Sequence, residues 1–123
     1  MSDRASLTIL VVDDDESMLT LTPTILRRVG YQVLTARDGL EALAALSENP
    51  GIALLFTDIK MPRIDGYKLA DMAKMRHPDL KVLYVTGFAD EVSTKPGVRH
   101  GKILEKPSDP RQLREEVRLL LGA

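Results

Sequence analysis

The feature that most constrains the fold of this chain is an apolar run that ends in a carboxylate. Residues 52–56 read Ile-Ala-Leu-Leu-Phe, Thr57 and Asp58 follow, and Pro62 and Asp65-Gly66 come within the next eight residues. A run of this length bounded by turn residues is typical of a buried strand in a parallel sheet. In open α/β sheets, ligands bind at the carboxyl ends of the strands. The sequence therefore predicts Asp58 at a ligand-binding edge, as the reactive group of the site.

The rest of the chain alternates between short apolar runs and segments with helical spacing. Strands are predicted at residues 8–12, 31–36, 52–57, 81–86 and 102–105. Helices are predicted at residues 16–29, after the capping sequence at Asp38, after Asp65-Gly66, and after Asp109-Pro110. Pro23 is expected to kink the first helix or to begin a second segment. Met72 and Met75 are expected in the core as filler.

Strands that alternate with helices predict an α/β fold, a doubly wound parallel sheet with helices on both faces. The segment between Gly87 and Gly101 fits this alternation least well, because Pro96-Gly97 interrupts any helix there. We therefore expect the fourth helix of the alternation to be short or disordered. With 123 residues, the chain is expected to form one domain over residues 1–123.

Composition excludes several classes of protein. The net charge is −1 with both signs interspersed, which argues against direct binding of nucleic acid. There is no cysteine, so disulfides and thiolate zinc sites are excluded. No long apolar stretch opens the chain, so neither a secretory signal nor a membrane segment is expected, and we predict a cytoplasmic location.

Polar side chains lie at the carboxyl ends of several of the predicted strands. Asp13 and Asp14 follow the first strand and Asp58 follows the third, so all three are expected at one sheet edge. Clustered carboxylates raise one another's pKa unless a cation joins them, and Mg²⁺ prefers such oxygen ligands. Thr86 and Lys106, which end the fourth and fifth strands, would add a hydroxyl and a positive charge. Such a set can cradle a phosphoryl group, and a carboxylate can accept one.

These residues make the chain resemble the receiver domain of two-component response regulators over essentially its whole length. The matching pieces are Val11-Val12-Asp13-Asp14-Asp15, Asp58 with Met61-Pro62 and Asp65-Gly66, Thr86-Gly87, and Lys106-Pro107. The resemblance implies a flavodoxin-like sheet of order 2-1-3-4-5. The segments 86–88 and 102–107 look most like those of stand-alone receivers and of receivers attached to hybrid kinases.

The resemblance also implies a role for each matching residue. Asp58 would accept a phosphoryl group from a sensor histidine kinase or a histidine phosphotransfer protein. Asp13, Asp14, Asp58 and the backbone carbonyl of Lys60 would hold Mg²⁺, Thr86 would move to the phosphate, and Lys106 would pair with it. Since no residues remain after the last helix for a further domain, the output is expected in a downstream protein target whose binding changes.

The chain departs from its apparent relatives at three positions. Many of them carry an aromatic residue where Ile103 stands here, so the usual coupling through an aromatic rotamer is in question. Lys60 and Phe88, two residues beyond Asp58 and Thr86, are poor candidates for orienting a hydrolytic water. We therefore expect slow loss of the phosphoryl group and, besides self-phosphorylation from small phosphodonors, no other enzymatic activity. The Lys106-Pro107 bond is often cis in relatives.

Other interpretations of the same residues remain open. The chain could be a Mg²⁺-dependent phosphohydrolase, although Lys60 stands where an acid–base carboxylate would be expected. It could also be an interaction domain that works without phosphate. His77 and His100 are interpreted as exposed loop residues. Arg111, Arg114 and Arg118 are interpreted as a solvated helix surface.

Overall fold

The computed structural model describes residues 4–87, 100–106 and 109–122. Its strands are β1 (Thr8–Val12), β2 (Gln32–Ala36), β3 (Ile52–Asp58), β4 (Lys81–Thr86) and β5 (Gly101–Glu105). Its helices are α1 (Glu16–Val29), α2 (Gly39–Glu48), α3 (Gly66–Arg76) and α4 (Pro110–Leu121), and a 3-10 turn spans Arg4–Ser6. The predicted short helix between β4 and β5 and the Lys106-Pro107 bond lie outside the described residues.

All five strands are parallel and lie in the order β2-β1-β3-β4-β5. This confirms the predicted doubly wound α/β fold. Successive side chains of a strand point to opposite faces of the sheet, and the core accordingly divides in two. Leu55 of β3 belongs to the cluster that includes α2 and α3, whereas Leu54 and Phe56 belong to the cluster that includes α1 and α4.

An aspartate caps the amino end of every described α-helix. The side chains of Asp15, Asp38, Asp65 and Asp109 accept backbone N–H bonds from the first turns of α1, α2, α3 and α4. Aspartate is a preferred residue at this position because its carboxylate satisfies an orphan donor and complements the helix dipole. Glu41 completes the capping of α2 by accepting a bond from the backbone N–H of Arg37 at 2.9 Å.

One of the two alternatives for Pro23 does not occur, since no second segment begins there and α1 continues through it as one helix. The expectation for the two methionines of α3 is wrong. Met72 and Met75 are not core residues, since they are 37% and 85% exposed. The buried face of α3 consists of Gly66, Leu69, Ala70 and Ala73, so the two methionines lie outside it.

Candidate functional site

The site lies where β1 and β3 end side by side. Val12 pairs with Thr57, so Asp13 and Asp58 lie at the same edge of the sheet although they are far apart in sequence. Both aspartates are buried, whereas Asp14 is exposed. Each of the three carboxylates offers an oxygen atom, and these atoms lie within 4.8 Å of one another. The structure thus brings together the three aspartates that the sequence predicted to converge.

Lys106 joins two of these carboxylates from the end of β5. Its backbone N–H donates to the carbonyl oxygen of Thr86 at 2.7 Å, which fixes where the side chain starts. Its Nζ then lies 2.8 Å from Oδ2 of Asp13 and 3.1 Å from Oδ2 of Asp58. With only 18% of the Lys106 side chain exposed, this ion pair is largely shielded from water.

Thr86 occupies the predicted place at the carboxyl end of β4. Asp58 pairs with Val85 across β3 and β4, so Thr86 is one residue further toward the edge. The Thr86 side chain is fully buried. Thr86 therefore lies beside the strand that carries Asp58 and is bonded to Lys106 through the main chain.

Burial and neighbouring charges shift the pKa values of Asp58 and Lys106. Burial raises the pKa of the Asp58 carboxyl, the charge of Asp13 raises it further, and Lys106 only partly opposes them. Burial by itself would lower the pKa of Lys106, but its hydrogen bonds and charge contacts with Asp13 and Asp58 raise it on balance. The cluster therefore holds a firmly protonated lysine and carries more negative charge than this lysine balances.

Asp13 is held from two sides, while Asp15 turns away from the cluster. Oδ2 of Asp13 accepts from Lys106, and its Oδ1 accepts from the backbone N–H of Asp15 at 2.9 Å. The side chain of Asp15 accepts from the backbone and the hydroxyl of Ser17, and these bonds lower its pKa. Asp15 is thus a helix cap, and it is not among the three clustered carboxylates.

The loop after β3 depends on a close approach of two backbones. A Cβ atom on Gly66 would overlap the carbonyl oxygen of Asp58 and would lie 2.9 Å from the Cα of Ile59. The backbone N–H of Gly66 donates to the carbonyl oxygen of Ile59 at 2.8 Å. The sequence suggested a turn residue here, but the structure requires glycine because α3 begins directly against the end of β3.

The same loop carries Lys60, the predicted backbone ligand of the metal. Lys60 is exposed and lies in the connection between β3 and α3. Arg63, further along, adopts a positive φ of 70°, and Ile64 donates to the carbonyl oxygen of Pro62 at 2.9 Å. A three-residue turn around a non-glycine residue with positive φ is rare and strained. Such strain in a loop beside the carboxylates is typical of functional sites.

The donor set fits a hard divalent cation. The clustered atoms are all carboxylate oxygens, two from buried side chains and one from an exposed side chain. Oxygen ligands and a partly open position suit Mg²⁺, which keeps several waters and binds phosphate oxygens.

The two histidines lie away from these carboxylates. His77 directly follows α3 and caps it, and its backbone N–H donates to the carbonyl oxygen of Ala73. Nε2 of His100 lies 2.8 Å from Oδ1 of Asp71 on α3, and His100 has a φ of 72°. This contact could not be predicted from the sequence, because no local pattern links residues 29 positions apart.

The helices of the described segments are too short or too polar to span a bilayer.

Comparison with known proteins gives a consistent result. The family model of the response regulator receiver domain matches residues 9–118. The chain is 39% identical to the response regulator receiver protein CpdR of Brucella abortus, covering 94% of this chain and 97% of that protein. It is 34% identical to the solved receiver domain of the hybrid histidine kinase CckA, with a TM-score of 0.80, covering 93% of this chain and 98% of that one.

Some similar proteins are longer. The alkaline phosphatase synthesis transcriptional regulatory protein PhoP of Bacillus subtilis is 35% identical, over 92% of this chain and 48% of its own length. The chain therefore spans about half of that relative.

Proposed function

Because the chain belongs to the family of response regulator receiver domains, we propose that residues 1–123 form one phosphoacceptor module of a two-component system or phosphorelay. Asp58 is the acceptor. The observation that carries this proposal is the position of its carboxylate, at the end of a buried strand, bonded to Lys106 and grouped with Asp13 and Asp14. The module is a signalling component and not a classical enzyme.

The transfer step is a displacement at phosphorus. An oxygen of Asp58 attacks the phosphorus atom of a phosphohistidine on a sensor kinase or phosphotransfer protein. A P–O bond forms, the P–N bond breaks, and the donor imidazole keeps the electron pair. Asp13, Asp14, Asp58 and the carbonyl of Lys60 would hold Mg²⁺, which when bound supplies neutralisation of phosphoryl-oxygen charge.

Lys106 and Thr86 would then respond to the new charge. Lys106 now divides its Nζ between Asp13 and Asp58. A phosphoryl group on Asp58 adds nearly two negative charges and strong acceptor oxygens, so it offers Lys106 a better partner and the Thr86 hydroxyl an acceptor. Because Lys106 and Thr86 are joined through the main chain, their movement would shift the ends of β4 and β5 and change the binding of a downstream protein.

The partners follow from this mechanism and from the charge of the chain. We infer that a histidine kinase or phosphotransfer protein donates the group and that a protein reads it. With a net charge of −1, this chain is not expected to contact nucleic acid or a membrane surface itself. The expected compartment is the cytoplasm, where such donors act.

Incubation with acetyl phosphate and Mg²⁺, followed by intact-mass measurement, tests the acceptor assignment. The wild type should gain the mass of one phosphoryl group, and the gain should disappear with EDTA. Asp58→Asn should gain nothing, while Asp79→Asn, which changes an exposed aspartate just before the start of β4 at the opposite edge of the sheet, should behave as the wild type. Modification of Asp58→Asn to the wild-type extent would refute the proposal.

The lifetime of the phosphoryl group provides a second test. We expect slow hydrolysis because Lys60, two residues beyond Asp58, cannot accept a proton from an attacking water while it is charged. The decay of the phosphorylated mass after removal of acetyl phosphate should be slower in the wild type than in Lys60→Glu. Equal decay of the two proteins would contradict the assigned effect of Lys60.

A further inference from the structure

A second charged region, separate from the carboxylate cluster, lies between α4 and the end of α1. Four arginines, Arg4, Arg111, Arg114 and Arg118, line one crevice of about 300 Å³ beside the end of α1 and the start of β2. We call it the arginine crevice. Since parallel strands all begin at the edge opposite their carboxyl ends, the start of β2 lies at the edge opposite Asp58. The crevice therefore goes beyond the proposed phosphoacceptor function.

The crevice has an excess of positive charge. Glu115 is the one acidic residue among those that line it. The guanidinium group of Arg118 donates two hydrogen bonds, of 2.6 and 3.0 Å, to the carboxylate of Glu115. Within residues 4–87, 100–106 and 109–122, the guanidinium groups of Arg111 and Arg114 have no polar partner. Four arginines against one glutamate give the crevice a formal charge of +3, in a chain whose net charge is −1.

The Glu115 contact shows which chemistry this crevice accommodates. The two bonds from Arg118 form the parallel fork in which a guanidinium group binds a carboxylate. Beside these charges, the half-buried Val29 gives the crevice an apolar part, whereas Tyr31, which also lines it, is only 3% exposed. This combination suits the aliphatic stem and carboxylate head of a glutamate side chain.

We propose that the arginine crevice binds an acidic segment of a protein partner, with Glu115 as an internal carboxylate that competes for Arg118. A protein segment is favoured over nucleic acid because the rest of the chain carries net negative charge and would repel an extended polyanion. Arg111 and Arg114 make the first contacts with the partner's carboxylates. Arg118 becomes available when the partner displaces Glu115.

Binding of a fluorescein-labelled hexaglutamate peptide, followed by anisotropy at low ionic strength, tests this proposal. The wild type should bind, and Arg111→Gln/Arg114→Gln should weaken binding about five- to tenfold, as expected for two exposed ion pairs. Arg76→Gln/Lys102→Gln removes the same charge elsewhere and should have a smaller effect. Glu115→Gln should tighten binding, because it frees Arg118 and removes a repelling charge.

Three outcomes would overturn the proposal. They are equal weakening by the two double variants, unchanged or weaker binding by Glu115→Gln, and displacement of the peptide by inorganic phosphate or a DNA duplex at lower concentration than by unlabelled hexaglutamate. All variants should gain a phosphoryl group from acetyl phosphate as the wild type does, which verifies that they are folded. The crevice is then tested separately from Asp58.

Discussion

The carboxylate cluster and the arginine crevice are charge imbalances of opposite sign in opposite surroundings. In the cluster, the Lys106 ammonium group pairs with two buried carboxylates, and a third, exposed carboxylate lies within 4.8 Å of them. In the crevice, four guanidinium groups accompany one carboxylate, which Arg118 binds, and both members of the Glu115–Arg118 pair lie about half exposed. Burial strengthens electrostatic interactions, whereas solvent and salt weaken them at the surface.

This difference indicates where each imbalance acts. Buried like charges destabilise the protein itself until a cation offsets them, so the cluster responds to the binding of a cation. Exposed like charges affect the fold little and act mainly on what approaches.

Loss of the shared ammonium group should have the largest effect. Lys106→Met leaves Asp13 and Asp58 close together without their cation, and removal of one member of a buried ion pair typically destabilises by about 3 kcal/mol. Urea unfolding in EDTA should show this loss, and Lys106→Met/Asp13→Asn should recover much of it. A loss as small as that of an exposed lysine, for which Lys81→Met is a control, would contradict the account.

Gly66→Ala should have the next largest effect. The added methyl group would overlap the backbone of Asp58 and Ile59, and overpacking of this kind typically destabilises by about 1–3 kcal/mol. Gly51→Ala is a matched control because a Cβ there meets nothing within 4 Å. Thermal unfolding should separate the two variants clearly, and similar midpoints would show that α3 does not press against β3 as described.

Asp58→Asn should stabilise the metal-free protein, with a dependence on pH that follows from the carboxyl group. The folded-state pKa of Asp58 is raised, so the folded protein binds its proton more tightly than the unfolded chain. Below the unfolded pKa of about 3.8, Asp58 is protonated in both states and Asn brings no advantage. The advantage should grow as pH rises through the folded pKa and stay complete above it.

The midpoint of urea unfolding, measured for both proteins across this pH range in EDTA, tests the Asp58 prediction. Addition of Mg²⁺ at neutral pH should raise the wild-type midpoint more than that of Asp58→Asn. A difference that is independent of pH, or that has the opposite sign, would show that Lys106 already compensates the cluster fully.

Arg118→Gln should have the smallest effect on stability. It removes the fork to Glu115, but both side chains are exposed and such pairs contribute little. The thermal midpoint should match that of the wild type at low and at high salt. A clear loss of stability would mean that the arginine crevice is a structural element rather than a surface for partners.

The sequence predicted the fold and the aspartate cluster because both depend on topology. A parallel sheet gathers the carboxyl ends of its strands at one edge, so Asp13, Asp14 and Asp58 could be placed together from the ends of their apolar runs. The helix-capping residues, such as Asp65, could also be predicted from the sequence, because a cap bonds to residues only two or three positions further along the chain. The roles assigned to Thr86 and Lys60 stay predictions.

Other features could not be read from the sequence because they depend on contacts between distant segments. Helical spacing suggested that Met72 is buried, but the buried face of α3 contains Leu69 and Ala73, and Met72 is 37% exposed. The need for Gly66 arises from the backbone of another element. The crevice combines α4 with Arg4 and Tyr31, which only folding brings beside it.

The most direct test of the central claim is a crystal structure of the protein with Mg²⁺ and beryllofluoride, a stand-in for the phosphoryl group. The account predicts beryllium bonded to a carboxylate oxygen of Asp58, Mg²⁺ bound by Asp13 and Asp14, and Nζ of Lys106 turned toward a fluorine atom. Beryllofluoride bound elsewhere, or a metal ion away from these aspartates, would contradict it.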